Sequence, residues 1–273
     1  MIPSIESVRA VAFDLDDTLL RDDLSISDFT VETLRTLDRC GIRVLPASGR
    51  AQQSMKPFVD RVGCAALYIA CNGGEIWDGK THQCLFQETI PPELGREIAR
   101  FGEARHCYAQ TYGGSSFFYN MESDWSRRYA VSSMLNGVCV GSLSSFVREP
   151  RTKFLMMDTP EKVAAMLEEA REQFRGRLSV TCSKAWYLEF NPLRATKGIA
   201  LSQVAEKLGF SPVNVMAFGD SLNDLSMLQA AGWSVAMANG REELKIQCAS
   251  VCPSNQEDGV AVFIREAFRG VCF

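Results

Sequence analysis

The sequence lacks three features, each of which would assign it to a broad class of protein. It has no excess of basic residues, because 29 Lys and Arg stand against 33 Asp and Glu and the pI is near 5.4. Nothing therefore favours nucleic acid as a partner. No apolar run approaches the ~18 residues that cross a bilayer, and the first residues carry neither the basic nor the apolar region of a signal peptide. We expect a cytoplasmic protein that binds neither nucleic acid nor a membrane.

The ten cysteines lack the close spacing of metal or disulfide motifs. No Cys-x-x-Cys pair occurs, and a chain of 273 residues is large enough to fold without covalent cross-links. We predict reduced and mostly buried thiols. A zinc site would require a tertiary proximity that the spacing does not indicate, and its ligands would come from His82, Cys84, His106, Cys107, Cys248 and Cys252.

With 273 residues and 46% hydrophobic content, the chain can form two domains with cores of ordinary size. Strand-like apolar runs alternate with helical patterns in its first part, at residues 8–13, 28–39, 42–45, 52–62 and 66–70. The alternation returns near the end, at residues 201–208, 213–218, 222–229, 234–238 and 259–268. Such alternation predicts a parallel sheet with right-handed crossovers.

The pattern changes after Gly74. The pair Asp78-Gly79 between two apolar segments predicts an antiparallel hairpin with a two-residue turn. Helical stretches then alternate with short strand-like runs, at residues 93–103, 108–112, 116–120, 122–135, 154–157, 160–174, 178–182 and 186–190. We interpret residues 85–187 as an inserted α+β domain between two parts of one α/β core, residues 1–84 and 188–273.

Two aspartates follow the first predicted strand, where residues 14–18 read Asp-Leu-Asp-Asp-Thr. Side chains at i and i+2 on a strand share a face, so Asp14 and Asp16 are expected to converge on one substrate atom. In open α/β sheets, ligands bind beyond the carboxyl ends of the strands, where this pair would lie. On its own, however, such a pair is more often a solvated turn or a helix N-cap.

Three further polar clusters occur where predicted strands end or helices begin. They are residues 47–50 (Ala-Ser-Gly-Arg), Lys197-Gly198, and residues 219–224 (Gly-Asp-Ser-Leu-Asn-Asp). With Asp14 and Asp16, this ordered set resembles the haloacid dehalogenase-like superfamily of phosphotransferases. The spacing is most similar to the Cof-type branch, whose members are mostly phosphatases of small phosphorylated metabolites.

This resemblance implies a Rossmann-like parallel-sheet core with an α+β cap domain inserted after the third core strand. It also implies the chemistry of the first motif. Asp14 is the expected nucleophile, which forms an aspartyl-phosphate, and Asp16 is expected to protonate the leaving oxygen and then to activate water. Surrounding negative charge would raise the pKa of Asp16 and favour the proton that it needs. Asp17 departs from the family pattern, because a small residue is common there, and it adds negative charge beside Asp14.

Several carboxylates that face a phosphate would repel it, so a divalent cation is expected among them. Oxygen-only ligands favour Mg²⁺. By resemblance, its ligands are Asp14, the backbone carbonyl of Asp16, and Asp220, with Asp224 in support. The alternative for Asp220 and Asp224 is a helix N-cap followed by a first-turn acid.

The remaining motif residues are expected to hold the phosphate or the rest of the substrate. Ser48 and the Gly49 amide lie between a strand and a helix, where backbone donors favour an anion, although an ordinary helix cap has the same sequence. Lys197 is either a phosphate clamp or a solvated lysine in a first helical turn. The resemblance implies phosphate and substrate contacts from Leu15, Ser48, Gly49, Arg50, Asn72, Asn191, Lys197 and Asn223. Arg50 could instead stabilise the motif loop.

Two other functions remain open. A phosphomutase of the same superfamily would return the phosphoryl group to a sugar and would need a second phosphate site, for which the candidates are Arg127, Arg128, Arg148 and Arg151. A non-catalytic sensor, phosphorylated at Asp14, would lack one of the catalytic groups, whereas this sequence has the complete set. We therefore favour a Mg²⁺-dependent phosphatase that acts on a small phosphorylated metabolite, such as a sugar phosphate or a phosphorylated cofactor.

Overall fold

A computed structural model describes residues 4–114 and 116–273. Residues 1–3 lie outside the described residues. They are the first residues of the segment that shows no signal-peptide features in the sequence. The chain divides into two compact units. The core unit comprises residues up to Gly49, Met55–Phe86 and Thr196–Phe273, and the cap unit comprises Arg50–Ser54 and Gln87–Ala195.

The strands and helices alternate along most of the chain. The strands are β1 (Ala10–Phe13), β2 (Arg43–Pro46), β3 (Leu67–Ala70), β4 (Glu75–Asp78), β5 (Cys84–Gln87), β6 (Tyr108–Gly113), β7 (Ser116–Tyr119), β8 (Asn136–Cys139), β9 (Phe154–Met157), β10 (Leu178–Thr181), β11 (Tyr187–Pro192), β12 (Val215–Gly219), β13 (Trp233–Met237) and β14 (Ser250–Cys252). The helices are α1 (Asp28–Arg39), α2 (Gln52–Val62), α3 (Pro92–Glu103), α4 (Asp124–Ser133), α5 (Leu143–Phe146), α6 (Pro160–Gln173), α7 (Lys197–Lys207), α8 (Leu225–Ala230), α9 (Glu242–Lys245) and α10 (Gly259–Ala267).

The core unit is built on a five-stranded sheet in the order β14-β13-β12-β1-β2, and every neighbouring pair is parallel. Alternate residues of β1 enter two different apolar clusters, as expected for a strand that is covered on both faces. Val11 and Phe13 pack with residues of α1 and α10, whereas Ala10 and Ala12 pack with residues of α7 and α8. The predicted Rossmann-like parallel core is therefore confirmed.

The third predicted strand behaves differently from the expectation. β3 pairs antiparallel with β4 in a three-stranded sheet, β3-β4-β5. The β3 segment also lies parallel to the β2 segment, through bridges from Val44 to Ala65 and from Ala47 to Ile69. The predicted two-residue hairpin turn is wrong. The amide of Asp78 donates to the carbonyl of Gln83, and its carboxylate accepts from the amides of Lys80 and Thr81, which closes a longer turn.

The cap unit is an α+β structure, as predicted. Its six-stranded sheet has the order β10-β11-β9-β6-β7-β8, with antiparallel pairs except for β7 and β8. The unit extends beyond residue 187, where the sequence analysis placed its end, because β11 pairs with both β9 and β10. Strand β8 and the short helix α5 were not predicted. In β7, the aromatic side chains of Phe117 and Tyr119 are buried.

All ten cysteines lie within the described ranges and carry thiols, as expected. The prediction that they are mostly buried is wrong, because Cys71, Cys107 and Cys252 are buried while the other seven are half-buried or exposed. Among the described residues, the proposed zinc ligands do not form a cluster of three or more possible metal ligands. None of the helices in these ranges is both long and apolar enough to cross a membrane.

The core of the cap unit generates a stability prediction. Phe174 is fully buried, and its ring lies edge-on to the rings of Phe101 and Phe190 at centroid distances of 5.9 and 5.5 Å. Phe174→Ala should lower the free energy of unfolding by about 3–5 kcal/mol, because it leaves a cavity. Urea unfolding followed by circular dichroism measures this loss. Val131→Ala, at a side chain that is 79% exposed, is the control, and equal stability of the two variants would contradict the packing.

Candidate active site

The motif residues of the core unit lie at one edge of the parallel sheet. Asp14 directly follows β1, Ser48 follows β2, and Asp220 follows β12. Because these strands are neighbours and parallel, their carboxyl ends meet at the same edge. The strand order, with β1 between β2 and β12, therefore brings together motifs that are far apart in sequence.

The first motif leaves β1 in a wide turn. Residues Leu15–Leu19 form a single turn that is closed by a hydrogen bond from the amide of Leu20 to the carbonyl of Leu15, 2.8 Å long. Asp17 occupies the left-handed region, with φ of 58°, which Asp tolerates better than most residues. Asp14 and Asp16 thus lie beyond the end of β1, where the alternation of a strand does not position their side chains. Their convergence on one substrate atom stays a prediction.

Lys197 connects two of the motifs. Its ammonium lies 2.6 Å from Oδ1 of Asp14 and 2.6 Å from Oδ1 of Asp224. The side chain of Lys197 is completely buried, and the two carboxylates are nearly so. The alternative of a solvated lysine is therefore wrong. Lys197 is the first residue of α7, whose start is fixed because the hydroxyl of Thr196 accepts a hydrogen bond from the amide of Ile199.

Asp224 uses both of its oxygens inside the site. While Oδ1 accepts from Lys197, Oδ2 accepts from the backbone amides of Asp220 and Ser221, each at 3.1 Å. Asp224 precedes α8, yet its side chain makes no capping hydrogen bond to that helix. The alternative of an ordinary first-turn acid is thus wrong for Asp224. Its carboxylate instead shapes the loop that carries Asp220.

Burial dominates the electrostatics of these groups. It raises the pKa of Asp14 well above its ordinary value; the Lys197 ammonium opposes this rise, and the carboxylates of Asp224 and Asp220 add to it. Burial, and then the Asp224 carboxylate, raise the pKa of Asp220 to about 7. Burial lowers the pKa of Lys197, but Asp14 and Asp224 raise it by more, so the ammonium remains charged. One ammonium therefore does not fully balance the carboxylates around it.

The carboxylates offer a site that fits a divalent cation. Oxygen atoms of Asp14, Asp220 and Asp224 all lie within 4.8 Å of one another. The donor set consists of carboxylate oxygens alone, which suits Mg²⁺. A cation here would also supply the positive charge that Asp14 and Asp220 need in order to ionise. Since both Asp224 oxygens already accept hydrogen bonds, Asp14 and Asp220 are the better direct ligands.

The residues expected to hold the phosphate fall into a second group beside these carboxylates. Ser48 is buried and its carbonyl accepts from the amide of Asn72 at 3.0 Å, while the side-chain amide of Asn223 donates to Oδ1 of Asn72 at 3.2 Å. Gly49 packs directly against Asn72. The side chain of Leu15 belongs to the apolar core of the unit, so only its backbone can face a phosphate.

Two of the predicted contacts belong to the cap unit. The Arg50 guanidinium donates to the hydroxyl of Ser54 and to the carbonyl of Ser132, at 2.9 and 2.8 Å. These bonds connect Arg50 to α2 and α4, and its contact with the substrate stays a prediction. Asn191 lies on β11, and its buried Oδ1 has no hydrogen-bond partner among the described residues.

The sequence analysis missed two residues that hold the motif loops. The hydroxyl of Thr18 donates to Oδ1 of Asp220 at 2.9 Å, which links the first motif to the last. The side chain of Asn239, in the loop after β13, donates to the carbonyl of Asp17 at 2.7 Å. Thr18 stands within the first motif. Asn239 begins an Asn-Gly pair directly after a predicted strand. Its position was a signal, because functional polar residues of a parallel sheet lie beyond the carboxyl ends of its strands.

The chain is similar to known proteins over most of its length. The family of haloacid dehalogenase-like hydrolases matches residues 11–264. The 5-amino-6-(5-phospho-D-ribitylamino)uracil phosphatase YcsE of Bacillus subtilis is 28% identical, over 94% of this chain and 95% of the relative. The pyridoxal phosphate phosphatase YbhA of Escherichia coli is 25% identical, over 94% and 98%. A haloacid dehalogenase-like hydrolase from Bacteroides thetaiotaomicron superposes with a TM-score of 0.87 at 27% identity, over 96% of this chain and all of that one.

The chain therefore belongs to the haloacid dehalogenase-like hydrolases. The resemblance inferred from the ordered motifs is confirmed, including the Cof-type pattern of core and cap. Within this family the chain is an enzyme of the phosphatase type.

The acidic cluster generates a prediction on stability and pH. In protein treated with a chelator, the contribution of Asp220 to the free energy of unfolding should be complete below pH 3.8 and should be lost as the pH rises through about 7, because the folded state binds this proton more tightly. Mg²⁺ at roughly 100 times its Kd should then raise the Tm at pH 8 by about 5 °C or more. Asp220→Asn should lose both effects, as measured by calorimetry.

Asp23→Asn is the matched control for this experiment, because Asp23 lies between the first motif and α1, outside the acidic cluster. Its carboxylate accepts a hydrogen bond from the amide of Ser25, and asparagine keeps the accepting oxygen. This control should retain the full Mg²⁺-dependent rise. An unchanged rise in Asp220→Asn would show that the cation does not bind at this cluster.

Proposed function

We propose that this protein is a Mg²⁺-dependent phosphatase that hydrolyses a small phosphorylated metabolite through an aspartyl-phosphate on Asp14. The observation that carries the proposal is the Asp14–Lys197–Asp224 contact, with the carboxylate of Asp220 adjacent, at the carboxyl edge of the parallel sheet. This arrangement joins a potential nucleophile, a fixed positive charge and a cation site within one small region.

In the first step, a carboxylate oxygen of Asp14 attacks phosphorus as the bond to the leaving oxygen breaks. The short contact between Lys197 and Oδ1 of Asp14 fixes the orientation of the carboxylate, and the buried ammonium stabilises negative charge on the transferring group. Asp16 donates its proton to the leaving oxygen. The products are an alcohol and the phosphorylated Asp14.

In the second step, a water molecule attacks phosphorus and gives a proton to Asp16, and the bond between phosphorus and Asp14 breaks to release inorganic phosphate. Asp16 suits exchange of a proton with substrate and water because it is only partly buried, unlike Asp14. Ser48, the amide of Gly49, the backbone at Leu15 and the side chain of Asn223 are proposed to hold the phosphoryl oxygens through both steps.

Mg²⁺ would be held by Asp14, Asp220 and the carbonyl of Asp16, and when bound it supplies positive charge that offsets the phosphate and the carboxylates. Asp224 acts through the other groups, because it fixes both the ammonium of Lys197 and the loop of Asp220. Thr18 restricts the Asp220 carboxylate in the same way.

The proposed substrate is a small phosphate monoester with a polar organic body. Relatives of this chain are named as phosphatases of 5-amino-6-(5-phospho-D-ribitylamino)uracil and of pyridoxal phosphate, which are both compact phosphorylated metabolites. Asn72 and Asn191 remain proposed contacts of the substrate body. Release of inorganic phosphate across a panel of phosphorylated sugars, sugar alcohols and cofactors, with and without Mg²⁺, tests this assignment.

The phosphomutase alternative receives less support. Arg127 pairs with Asp124 on an exposed helix face, and the Arg151 guanidinium stacks on Phe118 and Phe146 at 5.6 and 5.3 Å. Two of the four candidates for a second phosphate site are thus engaged by residues of the cap unit itself. Conversion of one sugar phosphate to an isomer without phosphate release would favour the mutase. Accumulation of phosphorylated Asp14 without turnover would favour the sensor.

Replacement of the nucleophile gives the most direct prediction. Asp14→Asn should reduce phosphate release from p-nitrophenyl phosphate by at least about 10³-fold, because the carboxamide cannot form the covalent intermediate. The measurement is a steady-state phosphate assay with Mg²⁺, and circular dichroism should show an intact fold. Asp23→Asn serves again as control and should match the wild type. Activity of Asp14→Asn near the wild-type level would remove Asp14 as nucleophile.

The role of Asp16 makes a separate prediction that depends on the leaving group. Asp16→Ala should slow hydrolysis of an alkyl phosphate by about 10²-fold or more, since a poor leaving group needs the proton. With p-nitrophenyl phosphate, whose leaving group departs unprotonated, the first step should survive and the second should slow. Stopped-flow absorbance should therefore show a burst of nitrophenol. Equal losses for both substrates, without a burst, would contradict acid–base catalysis by Asp16.

A further inference from the structure

The loop after β3 has an unusual backbone. Cys71, Asn72 and Gly73 follow one another with φ of 51°, 56° and 102°. Left-handed conformations are readily available to glycine and tolerated by asparagine, but they are strained for cysteine. Cys71 and Asn72 are nevertheless buried, at 1% and 5% exposure. Strain of this kind persists only where the surroundings hold it in place, and it is concentrated at functional sites.

The surroundings of this loop are three of the four motifs. The amide of Asn72 donates to the carbonyl of Ser48 at 3.0 Å, and its Oδ1 accepts from Asn223 at 3.2 Å. A Cβ atom on Gly73 would lie 2.3 Å from the carbonyl oxygen of Thr196, the residue before Lys197. The loop therefore contacts the segments that carry Ser48, Lys197 and Asn223.

Asn72 also determines how the Asn223 side chain is oriented. The Nδ2 group of Asn223 donates one hydrogen to Asn72, while its Oδ1 accepts from the hydroxyl of Ser221. These two bonds fix which end of the amide is the donor. They leave the second N–H of Asn223 in a defined orientation, which is the group that the proposed function assigns to a phosphoryl oxygen.

Gly49 packs against the side chain of Asn72. A Cβ atom at Gly49 would lie 2.9 Å from Oδ1 of Asn72, closer than real Cβ contacts. The absence of a side chain at position 49 thus allows Asn72 to approach the backbone that is expected to hold the phosphate. One oxygen atom of Asn72 is therefore in contact with two of the proposed phosphate-binding segments.

We infer that Asn72 is a positioning residue, whose side chain sets the Asn223 amide and the Ser48–Gly49 backbone at the spacing that a phosphoryl group requires. This inference rests on the proposed function and refines the role given to Asn72, which the sequence analysis treated as a substrate contact. The left-handed loop is the structural means by which β3 delivers this side chain between the two segments.

A double-mutant cycle tests the inference. Asn72→Gly keeps the left-handed backbone and removes only the side chain, and Asn223→Ala removes the group that Asn72 orients. Each variant should lower kcat for p-nitrophenyl phosphate by about tenfold or more. Because both act through one interaction, the double variant should be no worse than about twofold below the poorer single variant. KM should change less than kcat, since the lost orientation matters most in the transition state.

A second cycle examines Gly49. Gly49→Ala should lower kcat in the wild-type background, where the new methyl group meets Asn72. It should cost less in the Asn72→Gly background, where this oxygen is gone. Calorimetric affinity for inorganic phosphate with Mg²⁺ provides a readout that does not depend on turnover, and it should show the same coupling. Thermal unfolding of each variant identifies losses that only reflect a weaker fold.

The outcomes separate the inference from the proposed function. The positioning role would be overturned if the effects of the two substitutions on kcat simply multiply in both cycles, or if Asn72→Gly has the kcat of the wild type. In either case the proposed function would stand, because the wild-type protein would still release phosphate. A wild-type protein that releases no phosphate from any monoester would overturn the proposed function. The affinity for inorganic phosphate would then still test the inference. Independent effects of the paired substitutions on this affinity would overturn it, and coupled effects would support it.

Discussion

The buried ammonium of Lys197 is the group on which the geometry of the site depends. It contacts Asp14, which is 183 residues away in sequence, and Asp224, which is 27 residues away. Burial of three charged groups is costly, and removal of one partner from a buried ion pair costs about 3–5 kcal/mol because it leaves a charge without compensation. The start of α7, the end of β1 and the loop before α8 must therefore adopt their positions together.

A second constraint is the shortage of positive charge. Burial and neighbouring carboxylates raise the pKa values of Asp14 and Asp220, so the protein alone does not favour full ionisation of its acidic cluster. Under the proposed function, a cation and a phosphate would bring charges of opposite sign to this cluster, and each would make the binding of the other more favourable. The unbalanced charge of the folded protein would then couple the binding of metal to the binding of substrate.

Much of the core was predictable because its signals are local. The apolar run of β1, the helical spacing of α1 and the Thr-Pro start of α6 depend on neighbouring residues, and each was found near its predicted position. The antiparallel pairing of β3 with β4 was not predicted, because an apolar strand does not encode all the partners with which it pairs. β8 was missed because all four of its residues are exposed and show no alternation. The end of the cap was misplaced because β11 continues the cap sheet.

By itself, the sequence determined the class of protein, the parallel core and the residues that gather at its carboxyl edge, because ordered motifs at strand ends reflect local chemistry. Only the tertiary structure decided what those residues contact. It placed Lys197 between two carboxylates, directed both oxygens of Asp224 away from helix capping, joined Thr18 to Asp220 and set Asn72 against Asn223. Apart from the bonds of Asp224 within its own loop, these contacts join segments that are far apart in sequence. They follow from the strand order and from strained turns, which no local pattern specifies.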